Sequence, residues 1–211
     1  GSFMLLSMVI SILNGMDSSF TPLLISGITT LIVGLFPLIF VRRTEEISIS
    51  EGFAITILAW FLSCIFGMLP YLMWGGEFTL PNAFFESVSG FTTTGATILN
   101  NIEDLPKGLL FWRSSTHFIG GVGVVVFTLL VLPTMSTFRF KMTKMEISSL
   151  SKENYRYRTK ELIRIILSVY LGITILAFVS LCLAGMTPFD AVNHAFSIVA
   201  TGGFSTRNAS L

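Results

Sequence analysis

Four long stretches of this chain contain no Asp, Glu, Lys or Arg, and they constrain the fold more than any other feature. They cover residues 20 to 41, 52 to 76, 114 to 138 and 165 to 189. A helix needs about 20 apolar residues to cross the roughly 30 Å hydrocarbon core of a bilayer, so each stretch is long enough to span it. The hydrophobic share of 52% and the mean hydropathy of +0.78 also exceed what a water-soluble core needs. The pattern predicts an all-α membrane protein.

A shorter apolar run from Phe3 to Met16 precedes these stretches and follows the pair Gly1 and Ser2. The run is too short to cross a bilayer comfortably, so we expect a first helix whose native start is missing. A secretory signal peptide fits less well, because no basic residue precedes the run and no small-residue cleavage pattern follows it.

The basic residues predict how the chain is threaded. If residues 85 to 99 enter the membrane and return on the same side, ten of the 13 Lys and Arg residues share one side. Cytoplasmic loops carry such an excess, and a crossing at residues 85 to 99 would largely abolish it. The segment is therefore predicted to open outward. The ten are Arg42, Arg43, Arg139, Lys141, Lys144, Lys152, Arg156, Arg158, Lys160 and Arg164, and the other three are Lys107, Arg113 and Arg207.

On this threading, residues 139 to 159 form a cytoplasmic linker. We interpret the linker as a solvated basic connection between two helices. The alternative is a docking face for a cytosolic partner or for anionic lipid headgroups, and the sequence leaves that alternative open.

A repeated segment carries the functional signal. Residues 82 to 98, NAFFESVSGFTTTGATI, align without a gap with residues 190 to 206, DAVNHAFSIVATGGFST. In each copy a good N-cap, Asn82 or Asp190, begins a helix of about nine residues that ends at a Thr/Gly cluster. Such a helix rises roughly 14 Å, about half the hydrocarbon thickness, so the chain must turn back. Two re-entrant hairpins are predicted.

The Thr/Gly clusters predict a cation filter. Backbone that turns at membrane depth is tolerated only inside protein or beside a water-filled cavity. Glycine permits positive φ, so consecutive carbonyls could point the same way and replace the hydration shell of a monovalent cation. Small-residue helix packing is the alternative for one copy, but two copies favour the pore. The predicted K⁺ filter residues are Thr92, Thr93, Thr94, Gly95, Ala200, Thr201, Gly202 and Gly203, and the predicted pore-helix supports are Asn82, Glu86, Asp190 and His194.

Two other features have ordinary interpretations. The run Gly120-Gly121-Val122-Gly123 has the spacing of a phosphate-binding loop, but it lies in an apolar stretch without a preceding strand, so we predict close helix packing. His117 and His194 have no second histidine or carboxylate at ligand spacing, so packed imidazoles are predicted. The only metal expected is a monovalent cation at the filter.

At these residues the sequence resembles the Trk/Ktr/HKT superfamily of cation transporters and, within it, the TrkH-type potassium uptake subunit. The resemblance rests on FFESVSGFTTTGAT, DLPKGLLFWR, HFIGGVGVVVF and AGMTPFDAVNHAFSIVATGGFST. It implies four repeats around a cation pathway, each made of a helix, a re-entrant pore helix and a second helix. This sequence would be a fragment that holds two of the four repeats. Residues 3 to 50 would be an N-terminal helix pair, residues 51 to 138 the first repeat, and residues 160 to 211 a second repeat truncated after its filter.

The resemblance also implies a function and partners. The function is potassium uptake across the bacterial inner membrane, with K⁺ or Na⁺ as the transported ion and no cofactor. The partners are membrane lipid, a second copy in a homodimer and a cytosolic nucleotide-binding regulatory ring of the TrkA type, but no nucleic acid. Whether transport is channel-like or coupled to Na⁺ or H⁺ stays open. The alternatives are a non-conducting assembly subunit and, more weakly, an intramembrane enzyme. We expect no enzyme, since the sequence has neither H-E-x-x-H nor paired carboxylates.

Overall fold

The computed structural model of the chain describes the backbone of residues 1 to 40, 49 to 141 and 149 to 209. It describes the side chains of the same residues except 38, 40, 49 and 126 to 160. This part of the chain contains helices and turns and no strand, which confirms the predicted all-α class. A 3₁₀ turn lies at Ile102–Asp104. The helices are α1 (Ser2–Leu13), α2 (Phe20–Phe40), α3 (Ile49–Gly67), α4 (Leu69–Trp74), α5 (Leu80–Phe91), α6 (Lys107–Lys141), α7 (Ser149–Leu183) and α8 (Pro188–Val199).

Within the described residues, three helical stretches are long and apolar enough to cross a membrane: Phe20–Pro37, Ser50–Trp74 and Glu161–Leu183. They coincide with three of the four predicted spans. The fourth, residues 114 to 138, lies within α6, but its side chains from residue 126 onward are outside the description. Only 22%, 11% and 6% of the three stretches is buried inside the molecule. Helices so apolar on their outer faces need lipid or further protein around them.

The predicted linker at residues 139 to 159 lies largely outside the described residues. Residues 142 to 148 are not described, and of the flanking residues only the helical backbone is. Arg42 and Arg43 also lie outside the description. The linker, its docking alternative and the domain boundaries therefore stay predictions.

Within the described residues, the connections α1–α2, α4–α5 and α7–α8 and the start of α6 lie at one end of the molecule. This arrangement places the end of α4 beside the start of α2, and the start of α6 beside the start of α8. The hairpin at residues 80 to 99 begins and finishes at that end, so it returns without crossing, as predicted. The contacts are Trp74 Nε1 to Ser18 Oγ at 3.0 Å, Gly108 N to Asp17 Oδ2 at 3.3 Å, and Lys107 Nζ to the ring centroid of Phe189 at 5.6 Å.

Helix α6 runs between the two hairpins and packs closely against both. A Cβ on Gly120 would overlap the carbonyl oxygen of Phe91 at the end of α5. A Cβ on Gly121 would lie 3.0 Å from the Cβ of Ala200, at the end of α8. The glycine run therefore serves close packing, which confirms that prediction. It also brings the ends of α5 and α8 to neighbouring positions on one helix.

Candidate functional site

The two pore helices, α5 and α8, have the same length and end at equivalent residues. Each contains 12 residues, longer than predicted, and rises roughly 18 Å, still well short of a roughly 30 Å hydrocarbon core. Helix α5 ends at Phe91 and α8 at Val199, and these positions are 108 residues apart like the aligned repeats. The prediction of two short helices followed by a turn is confirmed.

The predicted N-caps are wrong. The helices begin after Thr79 and Thr187, three residues before Asn82 and Asp190. A proline in the first turn of each helix explains the earlier start, because proline needs no hydrogen-bond partner there and its fixed φ suits the helix. The Thr187 hydroxyl accepts from Asp190 N at 3.2 Å, so Asp190 sits inside the first turn.

Asp190 links the start of α8 to the far end of the second hairpin. Its Oδ1 accepts from Thr206 Oγ1 at 2.7 Å and its Oδ2 from Arg207 Nη2 at 3.2 Å. Burial raises the pKa of the Asp190 carboxyl, but hydrogen bonds from Thr206, Thr187 and Arg207 outweigh it and hold the pKa below 3.8. Asn82 has a different partner, the Glu77 carbonyl, to which Nδ2 donates at 2.8 Å. The two predicted supports therefore act differently.

Both pore helices end in a Schellman motif, in which the residue after the C-cap adopts the left-handed conformation. That residue is Thr93 in the first hairpin, with φ of 55°, and Thr201 in the second, with φ of 53°. The two sets of hydrogen bonds match at the offset of 108. They are Thr93 N to Gly90 O at 3.1 Å, Thr94 N to Ser89 O at 2.9 Å, Thr201 N to Ile198 O at 2.9 Å and Gly202 N to Ser197 O at 2.8 Å.

Threonine is an unusual choice for that position. Helices α1 and α7 end in the same motif with Gly15 and Gly185, at φ of 86° and 97°. A residue with a Cβ costs roughly 1–2 kcal/mol more than glycine in the left-handed region, and β-branching makes it rarer still. Thr93 and Thr201 thus carry backbone strain at the same point of both hairpins. Strain of this kind is concentrated at functional sites.

The carbonyl oxygens of the eight predicted filter residues accept no hydrogen bond from the described part of the chain. Backbone carbonyls nearly always have a partner, so these eight need water or a cation. Further along each hairpin, the carbonyl of Ala96 accepts from Ser89 Oγ at 2.6 Å, and that of Ser205 accepts from Arg113 Nη1 at 3.3 Å. The eight predicted filter residues therefore present their carbonyls in two groups of four, residues 92 to 95 and 200 to 203.

The two Thr/Gly loops touch through their backbones. A Cβ on Gly95 would overlap the carbonyl oxygen of Gly202 and lie 3.2 Å from Gly203 Cα. Gly95 and Gly203 have φ of 77° and 122°, which side chains rarely adopt. A Cβ on Gly202 would overlap the ring of His117. Three of the predicted filter glycines are thus required by space or by backbone conformation.

Behind the first loop, Glu86 is completely buried. Its carboxylate accepts from Thr97 Oγ1 at 3.0 Å, from Ile98 N at 3.2 Å and from Arg113 Nε at 2.8 Å. The non-helical segment that returns after each Thr/Gly loop, residues 96 to 99 or 204 to 207, is called the returning strand below, although it is not a β-strand. Glu86 fastens the first returning strand to α5 and is neutralised by an arginine of α6.

His194 occupies the position equivalent to Glu86 in the second hairpin. Its Nδ1 lies 2.8 Å from the Asp190 carbonyl, which can only accept, so Nδ1 donates. In the neutral ring Nε2 then accepts from Ser205 Oγ at 3.3 Å. Ser205 is the equivalent of Thr97, so each pore helix binds the same hydroxyl position of its returning strand.

Sequence reasoning missed Arg113, which contacts both hairpins. Its Nη2 donates to Thr97 Oγ1 and its Nη1 to the Ser205 carbonyl, both at 3.3 Å, and its side chain is 1% exposed. Its position directly before a charge-free stretch predicts a loop charge. The available signal was a lone arginine and a lone glutamate, Glu86, in largely apolar surroundings, where ionisable residues pair.

His117 is packed, as predicted, but it is packed against the second loop. Its ring stacks on Phe204 with 4.1 Å between centroids, and Nδ1 lies 3.1 Å from Ser197 Oγ. The Ser197 hydroxyl in turn accepts from Gly203 N at 2.9 Å. A histidine of α6 thereby supports a predicted filter glycine through one serine.

Known proteins are similar to this chain in sequence and in fold. The family model described as TrkH, cation transport protein, matches residues 22 to 211. The Trk system potassium uptake protein TrkH of Vibrio parahaemolyticus is 38% identical over 172 residues, which cover 81% of this chain and 36% of that protein. The Trk system potassium uptake protein TrkI of Halomonas elongata is 40% identical over 160 residues, covering 76% of this chain and 32% of that protein.

A solved structure is similar over almost the whole chain. The crystal structure of the potassium transporter TrkH from Vibrio parahaemolyticus has a TM-score of 0.83 and 33% identity, covering 99% of this chain and 42% of that one. The chain spans about a third of the length of the curated relatives reported above, at 36% and 32%.

Proposed function

This chain belongs to the TrkH family of cation transport proteins, and from that premise we propose that it supplies two loops of a K⁺ filter in a potassium uptake protein. The observation that carries the proposal is the pair of adjacent loops whose eight carbonyl oxygens accept no hydrogen bond from the described residues. None of the eight filter residues is charged. The names of the relatives, which are potassium uptake proteins, support K⁺ as the ion.

The chemistry would be exchange of water for backbone carbonyls around a K⁺ ion. Each loop follows the carboxyl end of a pore helix, where the helix dipole contributes about half a negative charge. Partial charges of this size attract a monovalent cation without holding it permanently, which conduction requires. The glycines at 95 and 203 would let the carbonyls of the two loops approach the same ion.

Two loops supply only part of a coordination shell. The remaining ligands would come from two further hairpins of a longer protein, since the relatives are about three times as long as the matched segment. A second copy of this chain is the other source. Within the longer protein, the pore loops would face outward from a bacterial inner membrane, as the predicted distribution of basic residues requires.

Three partners belong to the proposal: membrane lipid, a second protomer in a homodimer, and a cytosolic nucleotide-binding ring of the TrkA type. The apolar faces of the three candidate spans support contact with lipid. The protein would have no enzymatic activity. A non-conducting assembly subunit is the competing function, because a structural hairpin pair could hold the same backbone without passing ions.

Uptake of ⁸⁶Rb⁺ into liposomes that contain the full-length protein tests the proposal. We expect uptake that external K⁺ suppresses at lower concentration than Na⁺ does. Gly95→Ala should reduce this discrimination, whereas Gly34→Ala, with nothing within 4 Å of the added Cβ, is the matched control. No uptake by the unaltered protein would favour the assembly subunit instead.

A further inference from the structure

We propose that Arg113 is a positioning residue that couples the two hairpins, so that the spacing of the two loops, and with it ion discrimination, depends on its guanidinium group. The inference deepens the proposed function and rests on it for the part that concerns ions. The coupling of the hairpins is a separate physical claim that can be tested without transport.

The guanidinium contacts each hairpin at an equivalent place. In the first hairpin it donates to Glu86 Oε1 at 2.8 Å and to Thr97 Oγ1 at 3.3 Å. In the second it donates to the Ser205 carbonyl at 3.3 Å. Thr97 and Ser205 are equivalent residues of the repeat, each two positions after a filter glycine. One side chain of α6 thus holds the two returning strands at matched positions.

A ring contact adds to these hydrogen bonds. The Cζ of Arg113 lies 4.1 Å from the ring centroid of Phe204, which directly follows Gly203 of the second loop. A guanidinium over an aromatic face is attracted by the ring and gains strength when both are desolvated, as Arg113 and Phe204 are at 1% and 3% exposure. Arg113 therefore touches the second hairpin through a carbonyl and through a side chain.

Only arginine has the geometry for this set of contacts. Its five N–H groups form a planar fork that can reach acceptors on two hairpins at once, whereas lysine offers a single ammonium group. Arg113→Lys would keep the positive charge beside Glu86 and lose the reach to the second hairpin. An ion pair that only stabilised the first hairpin would tolerate this change.

Amide hydrogen exchange of the full-length protein in detergent tests the coupling. The amide of Ile98, bonded to Glu86, reports on the first hairpin, and the amide of Gly203, bonded to Ser197, reports on the second. In Arg113→Lys we expect both amides to exchange about tenfold faster, the loss of one charge-assisted hydrogen bond. The matched control is Arg207→Lys, which alters another arginine–carboxylate pair of the second hairpin. The Arg207 side chain is 57% exposed, so this change should alter the exchange rate of neither amide.

Phe204→Leu provides a second variant in case Arg113→Lys does not fold. It removes the contacts of the Phe204 ring with Arg113 and with His117 and should accelerate exchange at Gly203 without affecting Ile98. Where Arg113→Lys does fold, the effects of the two changes should be less than additive in the double variant, because both remove the contact between Arg113 and Phe204.

Faster exchange at Ile98 alone in Arg113→Lys, with additive effects in the double variant, would overturn the coupling. Discrimination between K⁺ and Na⁺ in ⁸⁶Rb⁺ uptake should fall about tenfold in Arg113→Lys, and unchanged discrimination would overturn the part that concerns ions. If the unaltered protein takes up no ⁸⁶Rb⁺, the proposed function fails, and the exchange rates still decide whether Arg113 couples the hairpins.

Discussion

In the first hairpin a buried carboxylate, Glu86, holds the returning strand, and in the second an imidazole, His194, holds the equivalent strand. The backbones of the two hairpins nevertheless match, down to the left-handed threonine and the hydrogen bonds of the helix end. The comparison teaches that the turn depends on the helix end and the glycines. The buried polar side chain behind the turn can change in charge, provided that it still binds a hydroxyl on the returning strand.

The largest predicted difference between the two hairpins is in the free energy of unfolding that is lost when Glu86 or His194 is replaced. Glu86→Gln should destabilise the protein by about 3–5 kcal/mol, because it leaves the buried Arg113 without a counter-charge. His194→Gln breaks no ion pair among the described residues and should cost about 1 kcal/mol, the usual contribution of one hydrogen bond. Denaturation of the purified variants in detergent measures the difference. Equal losses would mean that the Arg113–Glu86 pair matters no more than a neutral contact.

The second effect distinguishes the two glycines at the contact between the loops. Gly95→Ala should cost about 3 kcal/mol, because the new Cβ meets the Gly202 carbonyl and the backbone has positive φ. Gly203→Ala meets only Gly95 Cα at 3.9 Å and should cost about 1–2 kcal/mol from the backbone alone.

Unfolding free energies of the two variants, with Gly34→Ala as the control that has open space around it, check this order. Both glycine variants should also lose discrimination between K⁺ and Na⁺. A Gly203→Ala variant less stable than Gly95→Ala would contradict the close approach of the loops.

The third effect has the opposite sign and should be equal in both hairpins. Thr93→Gly and Thr201→Gly should each stabilise the protein by about 1 kcal/mol, because glycine adopts the left-handed conformation without strain. Each should also weaken ion discrimination, since the carbonyls around a flexible glycine are less well fixed. The reverse change at an ordinary helix end, Gly185→Thr, should destabilise by a similar amount. Stabilisation without any change in ion discrimination would show that the threonines have no role in the filter.

The sequence was sufficient to predict the elements that depend on local composition. Charge-free stretches located three candidate spans, and the repeat located both pore helices and their Thr/Gly loops. The N-caps predicted at Asn82 and Asp190 are wrong by three residues, because the prolines of the first turns favour an earlier helix start. Both the polar residues and the prolines are visible in the sequence, so this error could have been avoided from the sequence alone.

The contacts made by α6 could not be predicted in the same way. Arg113 and His117 are distant in sequence from Ser205 and Ser197, and only the packing of the glycine run against both hairpins brings them together. The close approach of Gly95 to the Gly202 carbonyl likewise depends on how the two repeats are placed side by side. A single sequence shows which residue types are present but not which residues contact each other in the folded chain.

The smallest predicted effect is a dependence of stability on pH at the start of the second pore helix but not at the start of the first. Hydrogen bonds hold the pKa of Asp190 below 3.8, so the ionised carboxylate stabilises the second hairpin above that pH, and the contribution is lost as pH falls through the folded-state pKa. Asn82 does not titrate, so the start of the first pore helix should show no such loss. Because the partner Arg207 is exposed, we expect less than about 1 kcal/mol. The Arg207 amide donates to Ser205 Oγ at 2.9 Å, and the Ala83 amide at the start of α5 donates to the Thr79 carbonyl at 2.8 Å. Exchange of these two amides between pH 5 and pH 3, corrected for intrinsic rates, measures both hairpins in one sample. Asp190→Asn should abolish the pH dependence at Arg207, and its persistence would assign the effect to another carboxyl group.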